Sequence, residues 1–188
     1  MDVFSYLSVY VSLILALAVS RNLIGLATLI EQRARVTWSW PFLAWSCLFV
    51  ILGALEWWSM LDWRGFTSYY VLEFFLMLVK PTLFFLMCAL LFPRFPESGP
   101  IDLGQHYERV RPWVFSIGAG YALMYLAVSA VQTRKHGAAF FGETMTPSDW
   151  VLTFVTATVL TLAAATRSSR YHAVLPPLVL VLIVAMFL

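Results

Sequence analysis

Six runs of apolar residues, separated by short clusters of charged and turn-forming residues, set the reading of this chain. They cover about residues 3–29, 40–61, 68–92, 112–131, 147–166 and 171–188, each near the roughly 20 residues that an α-helix needs to cross a hydrocarbon core. Their apolar positions are not confined to one face, as they would be on the surface helices of a soluble protein. The expected fold is therefore all-α: a single domain over residues 1–188, a polytopic membrane bundle of six transmembrane helices.

The boundaries carry their own signals. Ser39-Trp40-Pro41 opens the second span with proline in a first turn, and Thr67 or Ser68 offers an N-cap to the third. Thr146, Pro147 and Asp149 supply N-cap, N1 and N3 for the fifth. Asp102 followed by Gln105 resembles a capping box, which predicts a short cytoplasmic surface helix over Leu103 to Arg109, ahead of a fourth span starting at Pro112. The sixth span, beyond Pro176-Pro177, has almost no polar face and is expected at the lipid-facing periphery. Small residues spaced along the fourth and fifth spans (Gly118, Gly120, Ala122; Ala157, Ala163, Ala164) predict close helix packing, with Gly120 a contact position.

Composition agrees with the pattern. The chain of 188 residues is 61% hydrophobic and 12% charged, with a mean hydropathy of +0.81, whereas soluble domains carry about 25% charged residues. Cys47 and Cys88 lie in different apolar segments at different depths, which argues against a disulfide. The net charge of +2 is small and the basic residues sit in the connections, so nucleic acid is not an expected partner. Membrane lipids, a second copy of the chain or another membrane protein are.

The basic residues also orient the chain. Arg33, Arg35, Arg94, Arg109, Arg111, Arg167 and Arg170 fall on one side, against Arg64, Arg134 and Lys135 on the other; the first side is expected to be cytoplasmic, with both termini outside an inner (plasma) membrane. Trp38, Trp40 and Trp113 then fall at the inner interface and Trp57, Trp58, Trp63 and Trp150 at the outer, leaving Trp45 buried.

Against this apolar background Glu56, Glu73 and Lys80 stand out, because charge at membrane depth is costly and concentrates at functional or packing-critical positions. If spans two and three form a hairpin folded back on itself around Asp62-Trp63-Arg64-Gly65, the two glutamates lie at matching levels and Lys80 lies about 10 Å deeper. Helical side chains lean toward the helix N-terminus, so Glu56 and Lys80 lean toward each other. The cluster reads either as a proton or cation site beside the Pro81 kink or as a neutralised pin between helices.

Arg21 is expected to anchor to lipid phosphate at the inner interface. Asp102, His106 and Arg109 are the candidates in the cytoplasmic connector, where a solvated amphipathic segment is the alternative. No metal site is expected, since Asp102 and His106 lack further ligands. Three dispersed histidines cannot ligate a transmembrane dihaem pair, and no catalytic motif or cofactor is indicated. The function classes left open are proton, cation or small-solute permeation through the Glu/Glu/Lys cluster; a non-catalytic accessory or scaffold subunit; and, weakest, a lipid-acting intramembrane enzyme using Asp102, His106 and Arg21.

Leu91-Phe92-Pro93, Asp102-Leu103, His106-Tyr107 and Arg109 to Trp113, together with Glu56-Trp57-Trp58, resemble a pattern in a family of small bacterial polytopic inner-membrane proteins with no assigned activity. The resemblance covers about the first two thirds of the chain. It implies a bacterial inner-membrane protein and carries over no catalytic residue.

Overall fold

A computed structural model of the chain describes residues 3–60, 71–136 and 147–187. Among them are six α-helices: α1 (Val3–Glu31), α2 (Trp40–Ser59), α3 (Val71–Leu91), α4 (Leu103–His136), α5 (Pro147–Ala165) and α6 (Ser169–Phe187). Two short strands, β1 (Val36–Thr37) and β2 (Ile101–Asp102), pair in parallel and join the α1–α2 and α3–α4 connections. Phe4–Glu31, Trp40–Ser59 and Val71–Leu91 are each long and apolar enough to cross a membrane.

The buried positions form one stripe per helix. On α1 they are Leu7, Val11, Leu15, Ala18, Asn22, Gly25 and Leu29; on α3 they are Glu73, Met77, Lys80, Pro81, Phe84, Met87, Cys88 and Leu91. Steps of three and four place each set on one helical face. The opposite faces are exposed yet equally apolar: Tyr6, Val9, Leu13, Leu17 and Ile24 on α1, and Leu72, Phe75, Val79, Leu86 and Leu90 on α3. Such contiguous apolar surface suits lipid rather than water.

The α2–α3 contact expected of the hairpin forms, but it is not the main packing of either helix. α3 packs chiefly against α1 and α4 and meets α2 over a shorter stretch, while α2 also contacts α1 and α6, and α5 packs along α4. The turn at 62–65 and the caps at Thr67, Ser68 and Thr146 lie outside the described residues. α5 is already helical at Pro147, the first residue described after His136.

A correction concerns α4. No separate surface helix forms: Asp102 does cap, its Oδ1 accepting the Gln105 N–H at 2.9 Å, but the helix runs unbroken through Pro112 to His136. Proline in a helix interior frees the carbonyl four residues back, here that of the exposed Glu108, so the helix continues past it. In α6 the same defect is filled by protein. Pro177 frees the carbonyl of Ala173, which accepts the Trp40 indole N–H at 3.3 Å. That bond fastens the start of α2 to the first turns of α6, whose outer positions Val174, Leu178 and Val181 are exposed.

Small residues permit close approach in places other than the one expected. A Cβ on Gly25 would fall 2.3 Å from the Phe92 ring, and one on Gly118 would fall 3.2 Å from Met87 and 3.5 Å from Leu160. A Cβ on Gly120 would meet no other described element within 4 Å, so that glycine is not the close contact expected of it. Gly118→Leu should therefore lower stability by about 1–3 kcal/mol through overpacking, and Gly120→Leu by less than about 0.5 kcal/mol. Thermal melts of the two variants in detergent check the contrast.

Candidate functional site

At the meeting of α2, α3 and α4, the buried stripes bring together Glu56, Lys80 and Tyr121. Glu56 follows Phe49 and Gly53 on the inward face of α2, and Lys80 follows Glu73 and Met77 on that of α3. The ion pair is made by Lys80 Nζ and Glu56 Oε1 at 2.7 Å, with both side chains 8% exposed; Nζ also donates to Oε2 at 2.9 Å. The Tyr121 hydroxyl donates to the same Oε2 from α4. The ammonium lies 5.3 Å from the Tyr121 ring centre and 5.5 Å from that of Tyr125, within reach for a cation–π attraction.

Sequence reasoning missed the tyrosines. They lie one turn apart on α4, a helix far from the 62–65 turn in sequence, and a tyrosine in an apolar run carries no signal of its own. Glu73 is buried at 1% exposure, two turns before Lys80 on the same stripe. Arg21 is half-buried on α1, ten residues before that helix ends, beside the fully buried Asn22. Asn22 Nδ2 donates to Cys88 Sγ at 3.0 Å, linking α1 to α3, and both cysteines are free.

A second polar cluster occupies the end of the bundle that carries most of the arginines. Arg111, only 3% exposed, sends its guanidinium onto the carbonyls of Ala163 and Ala164 at 3.1 Å and onto that of Thr166. These are the terminal carbonyls of α5, which have no intrahelical donor and carry the negative end of the helix dipole. Glu108 completes the arrangement, its Oε2 accepting from Arg111 Nε at 2.8 Å. His172 Nε2 contacts the Thr166 carbonyl at 3.0 Å. A carbonyl only accepts, so Nε2 donates this bond, while Nδ1 lies in hydrogen-bond contact with the Tyr107 hydroxyl at 2.9 Å.

The connector candidates do not converge on one site. Asp102 is spent on the α4 cap, and Arg109 is exposed. His106 Nε2 donates to the carbonyl of Leu91, the last residue of α3, at 3.0 Å. No group of three or more potential metal ligands occurs among the described residues. Burial holds the His106 imidazole below the usual histidine range, and the neighbouring Arg109 acts in the same direction, against the opposing pull of the bond to Leu91.

The sign of the resulting pH effect follows from that direction. A depressed folded-state pKa means that the unfolded chain takes up a proton more readily, so this contribution is complete above the unfolded value near 6.5 and is lost as pH falls from there through the folded value. His106→Gln keeps a donor for Leu91 and should flatten the acid limb of the melting temperature between pH 7 and 5. Melts of both proteins across that range test it.

On the same end of the bundle, Arg35 donates to the carbonyls of Gly99 (2.8 Å), Pro96 (3.1 Å) and Glu97 (3.2 Å). Gly99 has φ +98°, a left-handed conformation that glycine adopts without steric cost. Together with the β1–β2 pair, this clamp holds the two connections that carry Arg33, Arg35 and Arg94 against each other. No family model, curated protein or solved structure matches the chain.

Proposed function

We propose that this protein is a non-catalytic accessory or scaffold component of a membrane assembly, crossing an inner membrane six times with its arginine-rich end in the cytoplasm. The observation that carries this reading is the use made of the interior polar groups. In a bilayer, helices lack a hydrophobic drive toward one another and are held by packing and interhelical hydrogen bonds. Each helix here has such a tie: Asn22 to Cys88 between α1 and α3, Glu56 to Lys80 and Tyr121 among α2, α3 and α4, Arg111 between α4 and α5, Tyr171 Oη to the Val159 carbonyl at 2.9 Å between α6 and α5, and Tyr107 to His172 between α4 and α6. Groups committed in this way hold a shape rather than turn over a substrate.

Partner contacts are then left to the outer faces. Trp57, Trp58, Phe74 and Phe75 are exposed where α2 ends and α3 begins, Trp58 at 61%, and aromatic side chains are enriched at interfaces. A photo-crosslinking amino acid at Trp58, irradiated in native membranes, should give a discrete adduct with a second copy of the chain or another membrane protein. Adducts with lipid alone would overturn the reading. The weaker reading, proton or cation permeation, is favoured by the buried Glu73 and by Pro81 directly after Lys80.

A further inference from the structure

We propose that Glu56, Tyr121 and Tyr125 form a binding site for a primary ammonium group, and that Lys80 is its resident ligand. The proposal goes beyond the scaffold reading and does not depend on it. Three features of the site match that chemistry. Both carboxylate oxygens of Glu56 lie within hydrogen-bond distance of one nitrogen, at 2.7 and 2.9 Å, an arrangement that suits a cation with two or more N–H donors. Tyr121 donates its hydroxyl to Oε2, so the carboxylate is oriented by a group separate from the lysine. Two tyrosine rings from successive turns of α4 then flank the nitrogen at 5.3 and 5.5 Å, placing their negative faces where the remaining charge lies.

The carboxylate and both rings come from α2 and α4, and only the ammonium comes from α3. The receptor thus belongs to two helices and the ligand to a third. Lys80 immediately precedes Pro81, which cannot donate to the Met77 carbonyl, so the backbone hydrogen-bond ladder of α3 is interrupted beside it. A free amine must therefore displace a tethered lysine whose effective concentration at the site is high, and in the unmodified protein the lysine wins.

Removing the lysine exposes the site to a soluble probe. Lys80→Ala deletes a fragment equivalent to n-propylammonium, which should restore what the substitution takes away. Purified full-length Lys80→Ala in detergent should show a melting temperature that rises with n-propylammonium and saturates, the propyl chain outperforming methyl and n-butyl. Tetramethylammonium, with no N–H donor, and sodium at equal ionic strength should leave it unchanged. Neither the unmodified protein, whose site is filled, nor Lys80→Ala combined with Glu56→Gln should respond.

If Lys80→Ala fails to fold, it and Lys80→Met are to be expressed and purified with and without n-propylammonium. Recovery of monodisperse Lys80→Ala only with the amine supports the proposal. Absence of any amine response in Lys80→Ala, an equal response in the Glu56→Gln combination, or failure of the amine to recover folded Lys80→Ala overturns it.

Discussion

Lys80→Met should destabilise the protein by about 3 kcal/mol or more, and Glu56→Gln introduced with it should recover much of that loss. The reasoning is electrostatic. Removing the ammonium leaves a carboxylate at 8% side-chain exposure with the Tyr121 hydroxyl as its partner, and breaking one side of a buried pair costs about 3–5 kcal/mol because the survivor must stay charged in low dielectric or neutralise. Neutralising both partners removes that penalty. The pair is thus worth far less than its single deletions suggest, since an apolar replacement of a buried ion pair is often close to neutral. A double-mutant cycle on unfolding in mild detergent measures the coupling directly, and additive single effects would remove the ion pair from the account.

Arg111→Met is the second large effect, expected at about 3 kcal/mol. It leaves the carbonyls of Ala163 and Ala164 without their guanidinium donor, each buried group left unpaired costing about 1–3 kcal/mol, while the Thr166 carbonyl loses the guanidinium but keeps His172 Nε2. Partial rearrangement toward water should hold the sum near the low end, because Thr166 is only half-buried. Arg111→Lys should recover only part of the loss. An ammonium on a flexible stem does not reproduce the planar fork that serves Glu108 through Nε and the helix end through Nη1 at once. Amide exchange over the last turn of α5 separates this mechanism from general destabilisation: protection there should fall more than along α1.

The features legible in the sequence are those set by local rules. Apolar runs and caps locate the helices, and a spacing of seven residues places Glu73 and Lys80 on one stripe. Level and lean, read from the helix directions, pointed to a Glu56–Lys80 contact, but that the two faces meet is seen only in the structure. Rules of adjacency failed where tertiary partners decide. Pro112 reads as a first turn yet lies inside α4, because exposed Glu108 can leave its freed carbonyl to solvent. Gly118 and Gly120 look alike in sequence, and only the position of Met87 and Leu160 tells them apart.

Within the site the same division holds. Glu56 and Lys80 announce themselves as charges in apolar runs, whereas Tyr121 and Tyr125 acquire meaning only when α4 is laid against α2 and α3. Arg111 and His172 read as interfacial residues, since nothing local reveals that the end of α5 lacks donors and arrives beside them. His106 and Asp102 share a region of chain but answer to different helices, one closing α3 and the other opening α4.

The central claim is that the interior charges tie helices together and do not form a conduit. Proton and monovalent-cation flux into sealed proteoliposomes, driven by an imposed gradient and potential, tests it most directly. Flux should be indistinguishable from that of protein-free vesicles, for the unmodified chain and for Glu73→Gln alike. A flux above that background which Glu56→Gln or Glu73→Gln abolishes would contradict it.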